Sequence, residues 1–469
     1  MTNSIHWFRR DLRLADNPAL THAAKTGAVI PIYIHDPEPP LGSASRAWLN
    51  QSLEALNSAL EDRLHVFSGN PEDLLPQLVS QFGATTVTWT RRYDGPGTAT
   101  DATLKERLKS QNVDVHSANG ALLWEPWEVT KPDGSPYKVF TPFFRKGCMA
   151  AAPPRAPLPA PKIAFAETSE VPAPIASLNL GATPAWDIDV LNHWTPGENG
   201  ANARLQIFLS EGLNGYQEGR NHPALPKVSR LSPHLAFGEV SPNTVWNAAR
   251  ATPATRDRDH FLSELGWREF SYSLLFRNPD IATRNLNAKF DAFPWLDDAE
   301  ALRAWQRGQT GIPIVDAGMR ELWQTGYMHN RVRMIVASFL VKNLRLQWRR
   351  GLAWFDDTLF DADPANNPAS WQWVAGSGAD AAPYFRIFNP VTQSAKFDGT
   401  GAYIRQYVPE LAALPDKSLH APWEAPALVL KAADITLGET YPFPIADLKE
   451  SRASALAAFQ SLKQPEPSA

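Results

Sequence analysis

Apolar and polar positions follow one period in the first part of the chain and another in the second. In the first part, short runs rich in Val, Ile and aromatic residues alternate with segments of helical spacing. This alternation predicts a parallel, doubly wound sheet, in which ligands bind outside the carboxyl ends of the strands. The predicted strands are 4–10, 28–36, 64–69, 85–90 and 113–118, and the predicted amphipathic helices are 44–63 and 99–111.

Beyond about residue 200, apolar residues recur every three or four positions, and no strand pattern of comparable strength intervenes. This part is therefore predicted to be all-α. Residues 151–184 are rich in Pro and Ala, which predicts an extended connection because proline blocks helix and ladder hydrogen bonds. We predict an α/β domain at 1–128, a Pro-rich linker at 129–200 and an all-helical domain at 201–469.

Composition places the chain among ordinary globular proteins. Its 469 residues suggest two or three domains at ~150 residues each, with 43% hydrophobic and 20% charged residues. Cys148 is the single cysteine, which excludes an internal disulfide, a Cys-rich zinc site and a cysteine-ligated iron–sulfur cluster. We expect no metal site. We also expect a cytoplasmic protein, because neither a signal-type opening nor an apolar run of about 20 residues is present.

Net charge does not decide whether the partner is a nucleic acid. The net charge is −4, but binding depends on local fields, and arginine is dense between residues 331 and 350. The chain also has 17 tryptophans, which recur through its C-terminal half. A large helical core with scattered surface indoles would explain them without any ligand.

The stretch ANNPASWQW at 365–373 is unusual for a buried core. Asn366, Asn367 and both indole N–H groups would need partners if buried. We therefore expect either a surface turn or a segment that faces something flat, polar and aromatic. Asp361 and Asp363 precede it, and they suit metal ligation, sugar binding or acid–base chemistry, although a calcium loop would need a third acidic ligand at a fixed offset.

The segment 216–242 carries small hydroxyl residues between helical patterns. Ser232 precedes Pro233, which predicts a helix N-cap, and exposed helix N–H groups with hydroxyls suit a phosphate, although capping alone explains these residues. The GPG at 95–97 lacks the third glycine of a dinucleotide fingerprint. We predict a plain turn there.

Two helical segments combine charge with possible ligand contacts. Glu264 and Trp267 are three residues apart and share a helix face, so they could bind and stack on a flat polar ring, unless they form a common surface ion-pair face. Arg331 and Arg333 begin a donor-rich helix and suit phosphate contacts.

These segments resemble the photolyase/cryptochrome flavoproteins over nearly the whole chain, and within that family the bacterial photolyases that repair cyclobutane pyrimidine dimers. The stretches that carry the resemblance are WFRRDLRLADNPAL (7–20), SRLSPHLAFGEVSP, SELGWREF, GYMHNRVRM, ASWQWVAGSGADAAPYFRIFNP (369–390) and KFD (396–398).

The resemblance implies FAD in the helical domain, active when reduced as FADH⁻. It implies that Asn367 faces flavin N5 and that Trp371 begins an electron relay through Trp348 to Trp295. It implies that Glu264 hydrogen-bonds the lesion. It implies that Arg333 pairs with Asp361, and Val228 stands where the family usually has Thr. The flavin-binding set that it implies is Tyr216, Val228, Ser229, Arg230, Leu231, Ser232, Phe261, Arg333, Asp361, Asp363 and Asn367.

The resemblance also implies UV-damaged DNA as the substrate of a light-driven electron transfer with no net redox change. The DNA is bound through its phosphates, the dimer is flipped out, and two indoles clamp it. The implied substrate set is Arg220, Glu264, Trp267, Arg268, Asn330, Arg331, Met334, Trp373, Arg386 and Gln393.

A second, light-harvesting chromophore is also implied. Pro96 and Gly97 stand where the best-known folate-binding branch has an Asn–Glu pair, which counts against that particular site. The stretches TWTRRYD and ASRAWLNQSL resemble the branch called class III, which can hold methenyltetrahydrofolate differently. We therefore expect methenyltetrahydrofolate in preference to 8-hydroxy-deazaflavin.

Three other functions stay open. A cryptochrome sensor shares the fold, but Asn367 stands where plant-type sensors often carry Asp, and the short tail leads us to expect no signalling extension. A (6-4) photolyase would place histidine in the MHNR region for proton transfer, whereas here His329 precedes Asn330 and the Asn occupies the dimer-type position. A generic two-domain nucleotide-binding protein would leave the tryptophan pattern unexplained. We expect a monomer with no protein partner.

Overall fold

The five apolar runs of the N-terminal part form one parallel sheet, as predicted. Its strands are β1 (Asn3–Phe8), β2 (Ala28–His35), β3 (His65–Ser68), β4 (Ala84–Thr90) and β5 (Asp114–Ala118). Their order in the sheet is β3-β2-β1-β4-β5, so the direction of winding reverses between β1 and β4. Nearly every residue of β1 and β2 is buried, which is typical of parallel strands that helices cover on both faces.

Four helices connect these strands: α1 (Pro18–Thr26), α2 (Ser43–Ala59), α3 (Pro71–Phe82) and α4 (Gly95–Ser110). Helices α2 and α4 were predicted, whereas α1 and α3 were not. Asn17 and Asn70 cap these two helices by accepting backbone N–H bonds, and a proline follows each cap. The predicted turn at 95–97 is wrong, because Asp94 accepts from the Gly97 N–H and makes GPG the first turn of α4.

The second part is helical, as predicted, and in the described residues no strand follows β5. Its longer helices are α5 (Glu198–Ile207), α6 (Pro242–Arg250), α7 (Arg256–Arg277), α8 (Ala299–Gln306), α9 (Pro313–Thr325), α10 (Asn330–Ser338), α11 (Trp348–Thr358), α12 (Asn366–Ala375), α13 (Pro390–Phe397), α14 (Ala402–Tyr407) and α15 (Leu448–Ser461).

Several helical segments are only a turn or two long. They are Phe140–Pro142, Phe143–Gly147, Cys148–Ala150, Ile175–Leu178, Phe208–Gly212, Tyr216–Gly219, Ser232–Ala236, Ala288–Ala292, Phe339–Asn343, Pro409–Leu411, Asp416–Leu419, Pro422–Glu424 and Ala427–Ala432. Ser232 is the first residue of its helical turn and makes no capping hydrogen bond, so the N-cap predicted there is wrong. The cap occurs instead at Ser241, whose hydroxyl accepts from the Thr244 N–H at the start of α6.

The computed structural model describes residues 2–37, 40–181, 190–381 and 385–462. Parts of the predicted linker, at 182–189, and of the segment 369–390, at 382–384, lie outside these residues. Contacts group the chain into one unit of Met1–Asn214, Ser229–Pro279 and Phe360–Ala365, and a second of Gly215–Val228, Asp280–Leu359 and Asn366–Ala469. The predicted domain boundaries remain a prediction.

The Pro-rich segment runs in extended form along the sheet, as its composition predicts. The Val29 N–H donates to the Ala164 carbonyl, and the Ala166 N–H donates to the Val29 carbonyl. This places 164–166 beside the start of β2, at the end where β3 does not reach. No helix among the described residues is long and apolar enough to cross a membrane.

A buried arginine holds the end of β1 within the first unit. Arg13 is 2% exposed, and its guanidinium donates to the carbonyls of Gly120, Asp16 and Gly238. The Asp16 carboxylate in turn accepts from the Leu158 N–H. These bonds tie the chain after β1 to the loop after β5, to the Pro-rich segment and to the chain before α6.

We expect Arg13→Met to lower the free energy of unfolding by about 3 kcal/mol, because three buried carbonyls would lose their donor. The measurement is a urea titration of the full chain, with the exposed Arg250→Met as the control. Equal unfolding midpoints for the two variants would contradict this role of Arg13.

Candidate functional site

Helix α7 carries the predicted carboxylate and indole on one partly exposed face. The Glu264 side chain is 26% exposed, and its Oε1 lies 3.8 Å from Nε2 of His260. The Trp267 ring stacks on Phe140, with ring centroids 3.8 Å apart and planes 12° from parallel. Phe261 is buried against Phe208. One face of the Trp267 indole is thus already held in position by the protein.

Arg268 belongs to a buried network. It is 9% exposed, and it donates to the Ala121 carbonyl at 2.8 Å and to Glu269 at 3.2 Å. Burial raises the pKa of Glu269 to about 7, although the Arg268 guanidinium and the N–H groups of Leu123 and Trp124 oppose that shift. This geometry does not favour the DNA contact expected of Arg268.

The same network fixes the Asp363 carboxylate. The Tyr272 hydroxyl donates to Oδ2 of Asp363 at 2.7 Å, and the Ala365 N–H donates to Oδ1 at 2.9 Å. The Arg268 guanidinium lies 4.9 Å from the centroid of the Tyr272 ring. Tyr272 was not predicted, because its stretch FSYS carries no signal beyond helical spacing. The arrangement sets the direction in which Asp363 presents its oxygens.

The chain from Ser229 to Ser232 leads into a short helical segment. Arg230 has φ +54°, a left-handed conformation that is uncommon for a residue other than glycine and costs about 1 kcal/mol. Its guanidinium lies 5.4 Å from the centroid of the Trp194 ring. The Ser229 hydroxyl accepts from the N–H of the buried Leu231 at 3.4 Å, and Ser232 is exposed. Hydroxyls and a guanidinium are therefore concentrated in four residues.

Gln372, between the two tryptophans of α12, is the anchor of that helix in the second unit. It is fully buried, and its amide donates to the carbonyls of Ile281 and Arg284, both at 2.7 Å. Its carbonyl accepts from the Leu286 N–H at 2.8 Å. These bonds fasten the chain at 281–286 to α12 and fix the directions of the tryptophans. Gln372 was not predicted as a site residue.

Trp371 is enclosed by protein. It is 2% exposed and packs edge-on against Phe355, with ring centroids 5.0 Å apart, and against Trp305, at 6.2 Å. A Cβ at Gly351 would lie 2.1 Å from the Trp371 indole, so α11 can approach the ring only because residue 351 has no side chain. The neighbouring Asn367 is half-buried, and its amide donates to Asp356 at 2.6 Å.

The other predicted tryptophans differ in exposure. Trp348 is fully buried, and its indole N–H donates to the side chain of Asn285 at 2.9 Å. Trp295 is half-buried against Phe293, with ring centroids 4.4 Å apart. Trp373 is also half-buried, and its indole N–H donates to the Asp380 carbonyl at 3.1 Å. The relay order itself remains a prediction.

Two arginines of the second unit lie close enough to interact, and one of them lies over the ring of Phe397. The Arg331 guanidinium lies 4.4 Å from the centroid of that ring and donates to Asn221 at 2.5 Å. Burial, together with the charge of Arg220, lowers the pKa of Arg331. Arg220 itself lies over the ring of the buried Tyr216. Two like charges held near each other form a local positive patch despite the negative net charge.

The remaining predicted residues are placed as follows. Arg333 donates from Nε to the Met328 carbonyl at 2.7 Å. Asn330 is exposed at the start of α10, and Met334 lies with its sulfur 3.8 Å from Arg331. Asp361, Val228 and Gln393 are half-buried, and Arg386 is exposed. The pairing of Arg333 with Asp361 remains a prediction. No group of three or more His, Cys, Asp or Glu within the described ranges has the arrangement of a metal site.

Two family models match the chain. The FAD binding domain of DNA photolyase matches residues 261–461, and the DNA photolyase model matches residues 4–162. A deoxyribodipyrimidine photo-lyase of Agrobacterium fabrum is 51% identical over 98% of both chains, and Cryptochrome-2 of Arabidopsis thaliana is 38% identical over 96% of this chain and 77% of its own. The crystal structure of a class III photolyase from Agrobacterium tumefaciens matches with a TM-score of 0.96 and 49% identity, over 99% of this chain and 98% of that one.

We expect Tyr272→Phe to lower the free energy of unfolding by about 2 kcal/mol, because the buried Asp363 carboxylate loses a charge-assisted hydrogen bond. Tyr33→Phe is the control, since Tyr33 is a similarly buried tyrosine of the first unit. Chemical denaturation of both variants provides the comparison, and equal losses would show that the Tyr272–Asp363 bond adds nothing.

Proposed function

The chain belongs to the photolyase/cryptochrome family, and on that premise we propose that it is a light-driven DNA-repair lyase that splits cyclobutane pyrimidine dimers. The observation that carries the proposal is the 51% identity, over almost the full length of both proteins, to a relative named deoxyribodipyrimidine photo-lyase. Three side chains that the resemblance assigns to the lesion, Glu264, Trp267 and Trp373, are all partly exposed.

The donor chemistry of this chain fits FAD. Hydroxyls at Ser229 and Ser232, with the Arg230 guanidinium, suit a diphosphate. The Asp363 carboxylate, which Tyr272 holds in place, suits a ribose hydroxyl or a ring N–H. Asn367 offers an amide to the flavin edge. When bound and reduced, FAD supplies an electron under light and takes it back after the ring of the dimer has split. The other residues of the proposed flavin-binding set are those that the resemblance implies.

The chain's own residues would select and hold the lesion. In the first unit, Trp267, whose far face is covered by Phe140, would stack on a base of the lesion. In the second unit, Trp373, held by its bond to Asp380, also offers an indole face to a base. Glu264 would hydrogen-bond the dimer. The positive patch of Arg220 and Arg331, together with Arg386, would bind phosphates, so the affinity for DNA should fall with salt.

For the second chromophore we propose methenyltetrahydrofolate in preference to 8-hydroxy-deazaflavin. The class III match supports it, together with the stretches TWTRRYD and ASRAWLNQSL. Pro96 and Gly97, where the best-known folate branch has Asn–Glu, lie in the first turn of α4. Chromatography of the chromophore released on denaturation, against both standards, distinguishes the two. We further propose a cytoplasmic monomer.

A cryptochrome sensor is the second candidate, because plant cryptochromes reach 38% identity. The test uses purified protein with its flavin chemically reduced and an oligonucleotide with one thymine cyclobutane dimer. Restored thymine absorbance under blue or near-ultraviolet light, and none in the dark, is the expected result. Bound flavin without repair would favour the sensor or the (6-4) lesion, which is the next substrate to test.

We expect Glu264→Ala to raise the dark Kd for the dimer oligonucleotide about tenfold and to reduce repair per absorbed photon, because a hydrogen bond to a charged group is lost. Bound FAD should be unchanged. Glu300→Ala, an exposed carboxylate at the start of α8, is the control. Wild-type repair by the Glu264 variant would remove the role proposed for that carboxylate.

We expect Trp371→Phe to slow light-induced reduction of the oxidised flavin at least tenfold, while repair persists once the flavin is reduced chemically, because the first indole of the relay is missing. The decay of oxidised-flavin absorbance under light is the readout. Trp246→Phe, buried in the first unit, is the control. Normal photoreduction without the Trp371 indole would mean that electrons enter by another route.

A further inference from the structure

Lys342 is a buried lysine for which the proposed repair mechanism has no role. It lies in the π-helical turn Phe339–Asn343 that continues α10, and it is 1% exposed. Lysine is almost never fully buried without a partner, because its ammonium group loses hydration. Burial lowers the pKa of Lys342 well below its ordinary value. A position this costly needs specific contacts to be retained.

The contacts of Lys342 join the end of α12 to the chain that follows it. Its Nζ donates to the carbonyl of Ala375, the last residue of α12, at 2.7 Å. The last carbonyls of a helix lack intrahelical partners and carry partial negative charge, so a cation there is favourable. The same Nζ lies 3.1 Å from the centroid of the Phe385 ring, a cation–π contact.

A cavity of about 50 Å³ lies directly beside the amine. Ser338, Trp373, Phe385, Arg386 and Phe459 are among its walls, and none of the described lining residues is acidic. Trp373 and Arg386 are the two residues of this region that the proposed function assigns to DNA. Phe385 stacks on Phe459, with ring centroids 4.5 Å apart and planes 6° from parallel. Lys342, Trp373 and Arg386 therefore line one cavity.

Besides the Gln372 anchor, hydrogen bonds of the backbone and of the Trp373 indole hold the end of α12. The N–H groups of Gly376 and Gly378 both donate to the Gln372 carbonyl, and Gly376 has φ +96°, which only glycine adopts readily. The Trp373 indole N–H donates to Asp380. Ala375 and Trp373 lie in the same last turn of α12, so a change at the Ala375 carbonyl acts on the turn that carries this indole.

We propose that Lys342 is a positioning residue for lesion recognition, which fixes Trp373 and Arg386 by binding the end of α12 and the Phe385 ring together. The inference rests on the proposed function, because that function assigns these two residues to DNA. Lys342 touches no DNA itself. Its loss should weaken lesion binding and leave the photochemistry of a saturated complex unchanged.

The test compares K342M, K342R and K289M, the last at an exposed lysine, in the full flavin-loaded protein. The dark Kd for an oligonucleotide with one thymine dimer is measured by fluorescence anisotropy, and repair per photon is measured at saturating DNA. We expect K342M to raise the Kd about tenfold with unchanged repair per photon. K342R should stay within about threefold of wild type, because the guanidinium keeps the charge and donors and the cavity gives it room.

A double variant separates positioning from a general loss of structure. If Lys342 acts through Trp373, then K342M should weaken binding less in a Trp373→Phe background than in wild type. An undiminished effect there, an unchanged Kd for K342M, or failure of K342R to restore binding would each overturn the inference. If K342M does not fold, K342Q replaces it with the same expected and contrary results. Failure of wild type to repair the dimer would instead overturn the proposed function.

Discussion

The requirement that a buried polar group find hydrogen-bond partners fixes the geometry of both units. Arg13 satisfies it in the first unit by donating to three carbonyls that are far apart in sequence, and Gln372 satisfies it in the second by bonding three groups of the chain at 281–286. Neither residue has any chemistry to perform. Each one fixes the positions of the chain segments that it bonds, and this constrains the directions of the side chains on those segments.

Much of the fold was predictable because its signals are local. Short runs rich in Val, Ile and aromatic residues predicted the parallel sheet, and helical spacing predicted the all-helical second part. The errors arose at helix starts that contain proline or glycine: α1 and α3 were not predicted, and the start of α4 was predicted as a turn. Asn–Pro starts α1 and α3, and GPG starts α4, since proline at the first helical positions loses no intrahelical bond. The same residues that end one pattern can begin another.

The candidate site was predictable only in part, for a different physical reason. Motif residues such as Glu264, Asn367 and Trp371 stand in recognisable stretches, and the resemblance located them. Tyr272 and Gln372 act on partners about 90 positions away in the sequence, at Asp363 and Ile281. Periodicity reports neighbours along one element, and it carries no information about which distant group will complete a hydrogen bond.

Gly351 shows how strongly packing can couple two positions. Any side chain at residue 351 would overlap the Trp371 indole, so the residue types allowed at these two positions depend on each other. Substitution history at these two sites should therefore be correlated. Residue 351 becomes free to vary only in a descendant that has first replaced the indole, so an enlarged residue 351 would mark a protein that has already given up this ring.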